Sequence, residues 1–182
     1  MNRYAAFLRG MNVGAHRRAS SGQLCDTFAS AGFSEVATFR TAGNVLFSTT
    51  KRSGATIRRA AEAAMLAELG HDITVFVRPA AELHALVDAH PFRDSDESAP
   101  RGKPQVMFLL DPLDAAQERA VLAHATDADR LAVVGRAVCW SPAGGILDTG
   151  LDLTALGRIV GVTTVRTLGT VDQLVAKFLP HG

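Results

Sequence analysis

Arg9-Gly10-Met11-Asn12-Val13-Gly14 interrupts an apolar run with a cation, an amide and two glycines, and the basic His16-Arg17-Arg18 follows at once. Residues of these types suit an anion. A guanidinium pairs two oxygens of a phosphate or carboxylate, an amide side chain both donates and accepts, and glycine lets backbone N–H groups approach closely. Arg40-Thr41-Ala42-Gly43-Asn44 repeats the combination on a smaller scale. The residues that could hold a ligand are therefore Arg9, Gly10, Asn12, Gly14, Arg17, Arg40, Gly43 and Asn44. The competing reading is a plain turn, in which the glycines serve backbone geometry and the asparagines bond their own backbone. Gly10-x-x-x-Gly14 matches neither the G-x-x-x-x-G-K-[ST] phosphate loop nor G-x-G-x-x-G.

Other chemistry lacks its residue patterns. The histidines at 16, 71, 84, 90, 124 and 181 show no H-x-x-x-H or H-E-x-x-H spacing, so no metal or cofactor is expected. Asp94, Asp96 and Glu97 lack the glycine and distal glutamate of a calcium loop, and Ser141-Pro142-Ala143-Gly144-Gly145 is not a G-x-S-x-G elbow. Cys25 and Cys139 sit among apolar residues without C-x-x-C spacing and read as buried thiols. No reaction is assigned. In 182 residues, 19 Lys and Arg stand against 18 Asp and Glu, a net charge of +1 that drives the chain onto neither nucleic acid nor an anionic membrane. No run reaches the length of a membrane span and Met1–Tyr4 is no signal core, so the expected compartment is the cytoplasm.

The periodicity predicts the elements that position these residues. Tyr4 to Leu8 reads as a strand, and Ser20 or Ser21 caps a helix through Leu24, Phe28 and Ala31 that stops at Gly32. Val36 to Arg40 and Val45 to Thr49 form a hairpin. Ser53 or Thr56 opens a helix through Ile57, Ala61, Met65 and Leu69 that stops at Gly70, and Asp72 to Arg78 is a strand. Pro79 begins a linking helix ended by His90-Pro91, and Arg93 to Lys103 is a polar loop. The order then repeats. Gln105 to Leu110 is a strand, Asp114 and Gln117 form a capping box, Gly135-Arg136 joins two strands, a helix runs through Leu153 and Leu156, and Val162 to Arg166 is a strand. Thr170-x-x-Gln173 caps a last helix. The fold class is α+β: two ferredoxin-like βαββαβ halves, 1–78 and 104–182, joined by a helix and loop over 79–103 and closed by a C-terminal helix. In such a half the loop after strand one and the hairpin after strand two leave the same end of the sheet, which unites the two glycine turns on one rim.

Leu8-Arg9-Gly10-Met11-Asn12-Val13-Gly14, the helix ending at Gly32-Phe33, Val36, Thr38, Gly43-Asn44-Val45, Phe47 and Pro91-Phe92 resemble the bacterial proteins of domain-of-unknown-function family 1697. The resemblance runs over nearly the whole chain and implies two ferredoxin-like halves, without an established activity. The family's hairpin serine is Ala42 here, its S-K-L is Thr149-Gly150-Leu151, and of its C-terminal pattern Arg166, Thr170, Val171 and Leu174 match. Arg166 joins the expected ligand residues from the second half. The leading function is binding of a small anionic, phosphate-bearing ligand. The second class is nucleic-acid binding through Arg9, Arg17, Arg18, Arg52, Arg58 and Arg59, weakened because the third strand carries only Phe47 where an RNA-recognition motif wants several aromatics. The third is an interaction module without a ligand.

Overall fold

Every residue from Tyr4 to Leu8 is apolar and buried, as an interior strand requires. That strand, β1 (Asn2–Leu8), is the first element of a computed structural model that describes residues 1–11, 18–40, 43–92, 102–144 and 149–179. Within those residues the protein is α+β, with two four-stranded antiparallel sheets and six helices. The chain divides into two compact units, Met1–Leu83 with Lys177–Gly182, and His84–Ala176. No described helix is long and apolar enough to cross a membrane.

In the first unit β1 pairs antiparallel with both β3 (Asn44–Thr49) and β4 (Val75–Pro79), and β3 also pairs with β2 (Ser34–Thr38), giving the order β2-β3-β1-β4. Helix α1 (Ser21–Ser30) joins β1 to β2, and α2 (Gly54–Leu69) joins β3 to β4. Ser20 caps α1 in a reciprocal box with Gln23, at 2.9 and 3.1 Å. Ser53 caps α2, and Gly70 ends it in the left-handed conformation, φ 64°. That stop was legible in the chain because glycine enters the left-handed region without strain. The core gathers on Phe47, whose ring lies 4.4 Å from Phe33, 5.5 Å from Phe28 and 5.8 Å from Tyr4. Ile57, Ala61 and Met65 of α2 complete it.

The bounds of β2 and β4 differ from those that the periodicity predicts. β2 covers Ser34–Thr38 rather than 36–40, with a register shift between Ser34 and Ala37 and Glu35 at φ 50°. The Glu35 carboxylate holds this bulge, accepting from the Ser48 hydroxyl and from Arg3 Nη1 at 3.3 Å. β4 begins at Val75, opposite Leu8 where β1 ends, and ends at Pro79, which the lack of an N–H restricts to an edge.

α3 (Ala80–Ala89) follows β4 directly. In the second unit the order is β6-β7-β5-β8, built from β5 (Gln105–Leu109), β6 (Arg130–Val134), β7 (Ala137–Ser141) and β8 (Thr163–Thr167). Helices α4 (Ala115–Leu122) and α5 (Leu153–Val160) join them, with Val121 and Leu156 in a core around Met107, Val138 and Trp140. The Asp114 and Gln117 box caps α4, and Gly135 turns the β6–β7 hairpin at φ 54°. The last helix, α6 (Leu168–Phe178), starts before Thr170. Thr167 is the capping hydroxyl instead, accepting from the Thr170 N–H at 3.2 Å.

Candidate functional site

The end of β1 and the β2–β3 hairpin meet as the topology requires. Phe7 lies opposite Asn44, and the Leu8 N–H donates to the Gly43 carbonyl at 2.8 Å. Gly10 and Gly43 both take positive φ, 70° and 72°. At Gly43 a side chain is also excluded by space, since an added Cβ falls 2.9 Å from Met11 Cβ and 3.0 Å from Leu8 Cβ. The two turns are thus interlocked through Met11, which is buried. Arg9 is exposed, and its backbone N–H donates to the Thr74 carbonyl at 3.1 Å. Arg40 is exposed at φ 58°, with its guanidinium 5.5 Å from the Phe39 ring centroid.

Asn44 does local work. Its side chain is fully buried, its amide nitrogen donates to the Phe39 carbonyl at 2.9 Å, and its own carbonyl accepts from the Phe39 N–H at 2.9 Å. The amide therefore closes the hairpin that carries Arg40. The start of α1 stands after the exposed Arg18, with no acidic residue in its first turn. Asn12, Gly14 and Arg17 lie outside the described residues. Arg166 belongs to the second unit, where its Nη1 donates to the Thr164 hydroxyl at 3.0 Å and the Val165 carbonyl at 2.7 Å. Burial lowers its pKa to about 10, since desolvation disfavours the cation.

The profile of a family described as "Protein of unknown function (DUF1697)" matches residues 1–139. The chain belongs to this family. Among solved structures this DUF1697 protein is similar to the conserved bacterial protein SP0830 from Streptococcus pneumoniae, at 17% identity and a TM-score of 0.70 over 96% of each chain. That likeness concerns the fold. A search of curated proteins finds no match.

Thr149-Gly150 has a buried structural partner in the second unit. Asp129, 1% exposed, sits where three loops of the second unit meet. Its Oδ1 accepts from Trp140 Nε1 at 3.1 Å, the Thr149 hydroxyl at 3.0 Å and the Ala143 N–H at 3.3 Å; Oδ2 accepts from the Gly150 N–H at 3.0 Å. Burial alone raises a carboxyl pKa, but the bonds from Trp140, Gly150, Thr149 and Ala143 favour the charged form, and Asp129 ends below its usual range. Thr149-Gly150 is thus matched to an internal carboxylate. The available signal was Thr126, whose hydroxyl accepts the Asp129 N–H at 2.8 Å in a turn typical of Thr-x-x-Asp.

Two further features are an internal arginine and a cleft of the second unit. Arg78, 2% exposed, reaches Glu82 at 3.5 Å and donates to the Val77 carbonyl at 2.9 Å, an internal arginine on β4. A cleft of about 280 Å³ in the second unit runs from Asp111 to Arg158 between the β5–α4 and α5–β8 turns. Among the described residues no three His, Cys, Asp or Glu side chains gather as a metal site.

Proposed function

We propose that this protein is a cytoplasmic binder of a small anionic, phosphate-bearing ligand, held at the rim of a first unit built as a ferredoxin-like βαββαβ fold, with a second unit of the same design. The strand order β2-β3-β1-β4 supports the fold, since it places β3 between the two strands that α1 connects. The observation that carries the binding reading is the interlock of two positive-φ glycine turns, Gly10 and Gly43, each beside an exposed arginine. Backbone held in that form presents N–H groups to an anion without a Cβ in the way. The helix start of α1 adds a partial positive charge. The sequence after Arg9 carries Asn12, Gly14 and Arg17, which this reading assigns to the same ligand. Arg166 is not needed by it.

Thermal unfolding in the presence of inorganic phosphate, phosphorylated metabolites, nucleotides and dicarboxylates tests the reading. A ligand at 100 times its Kd stabilises by about 2.7 kcal/mol, or roughly 5–11 °C for a chain of this size. Arg9→Ala and Arg40→Ala are expected to remove most of that shift. If no anion stabilises the wild type more than these variants, the rim is only a turn. Recognition of RNA on the sheet face is disfavoured, because Phe47 is packed among Tyr4, Phe28 and Phe33.

A further inference from the structure

The turn after β5 and the turn before β8 both line the cleft of the second unit, and the pairing of Leu109 with Thr163 fixes them at one end of the sheet. Each wall is braced. Arg136 Nη1 donates to the Leu110 carbonyl at 3.2 Å, and Gln117 Oε1 accepts from the Asp114 N–H at 3.0 Å. On the other wall α5 ends at Gly161, whose N–H donates to the Gly157 carbonyl at 2.9 Å and whose φ of 69° glycine takes without strain.

The lining brings opposite charges together without joining them. Asp111 and Arg158 are both exposed, and among the described residues neither is in an ion pair. Gly161 takes the Gly157 carbonyl, which leaves the carbonyls of Arg158, Ile159 and Val160 beyond the helical ladder, at the negative end of the helix dipole. Gln117, with its oxygen engaged by Asp114, offers its NH2 group. Leu113 and Ile159 supply apolar surface packed on the core, and Val162 is a 45% exposed apolar side chain in the same lining. An anionic pole, a cationic pole and an apolar wall therefore share one cleft. A phosphate or a polyamine meets a like charge at one pole, whereas a zwitterion is complementary to both. A volume of about 280 Å³ falls below the roughly 300–1,000 Å³ of sites for drug-sized ligands and suits a molecule of amino-acid size.

We propose that this cleft binds a free apolar α-amino acid, with its ammonium at Asp111 and the α5 carbonyls, its carboxylate at Arg158 and Gln117, and its side chain against Leu113, Ile159 and Val162. The planar guanidinium fork matches the two carboxylate oxygens. Every residue of the site belongs to His84–Ala176, and none takes part in the anion-binding reading above.

Calorimetric titration of the whole chain with glycine, L-alanine, L-valine and L-leucine tests the assignment. Valine or leucine is expected to bind at least about tenfold more tightly than glycine, since each buried methylene adds about fourfold. The amide of the tightest binder lacks the carboxylate, and its N-acetyl derivative lacks the ammonium. Each is expected to bind about tenfold or more weakly than the parent, the scale of one charge-assisted hydrogen bond. Arg158→Gln should cancel the difference between parent and amide while keeping that between parent and N-acetyl derivative, and Asp111→Asn should do the reverse. A general loss of folding does not produce this crossed pattern. Absence of binding by all four amino acids, glycine binding as tightly as leucine and valine, an N-acetyl derivative or amide as tight as its parent in the wild type, or an unchanged pattern in either variant overturns the proposal.

Discussion

Replacing Asp129 by alanine removes the acceptor from four donors at once: the Trp140 indole, the Thr149 hydroxyl and the Ala143 and Gly150 N–H groups. A hydrogen bond to a charged partner contributes about 1.5–3 kcal/mol, but bonds that share one carboxylate do not add. Breaking a buried charged network from one side costs about 3–5 kcal/mol, and that range is expected for Asp129→Ala. Asp129→Asn keeps one carbonyl oxygen and turns an NH2 toward a donor, so about 1–3 kcal/mol is expected. Trp140 is the protein's single tryptophan and bonds to this carboxylate, which makes its fluorescence in a urea titration the natural readout. The pH dependence has a definite sign. Because the folded pKa lies below the unfolded one, the contribution is complete above the unfolded value of about 3.9 and is lost as pH falls through the folded value. The gap between wild type and Asp129→Ala should therefore stay constant from about pH 8 to pH 5 and narrow below about pH 4. A loss under about 1 kcal/mol, or a gap that widens on acidification, would refute the reasoning.

Gly43→Ala meets both a positive φ and the Met11 and Leu8 Cβ atoms at 2.9 and 3.0 Å, so a loss of about 2–4 kcal/mol is expected together with loss of any anion-induced thermal shift. Gly102→Ala places a Cβ 2.0 Å from the Gly144 carbonyl oxygen and 2.8 Å from that of Pro142; backbone atoms yield poorly, and the urea midpoint should fall by the equivalent of about 1–3 kcal/mol or more. Phe47→Ala, which deletes the ring shared by Tyr4, Phe28 and Phe33, should cost about 3–5 kcal/mol in chemical denaturation. Alkylation of the native protein at pH 8 followed by mass spectrometry should label half-buried Cys25 before Cys139, whose buried thiol is pushed up to about 12.

Much of the architecture was legible because local chemistry and tertiary structure agree. Ser20, Ser53 and Asp114 cap the helices that their spacing announces, and Gly32, Gly70 and Gly135 take positive φ at the stops and the turn. The meeting of Arg9-Gly10 with Gly43-Asn44 followed from strand order alone, once two strands were placed either side of a third. What escaped depended on partners remote in sequence. The β2 bulge is held by Arg3 and Ser48 around Glu35, and nothing in a two-residue alternation signals a non-glycine residue at φ 50°. Thr170-x-x-Gln173 has the letters of a capping box, but the β8 backbone ends at Thr167 and the helix begins there. The four donors to Asp129 come from positions 11 to 21 residues away, beyond the reach of any local pattern. The Asn44 amide nitrogen donates to the Phe39 carbonyl, and periodicity, which ranks positions by burial, does not say which way a turn amide is used.

The bond from Arg3 to the Phe178 carbonyl bears on how the chain is made as well as how it stands. During translation, Met1–Leu83 leaves the ribosome with its sheet and helices specified by nearby sequence, yet with Arg3 and Phe39 lacking Phe178, one of the residues that each contacts. Phe178 arrives only after the entire second unit has been synthesised. Of the two units, the one that emerges earlier is completed later, so a nascent chain arrested before Lys177 should hold a folded but looser Met1–Leu83 unit, more open to protease at Phe39 than the released protein.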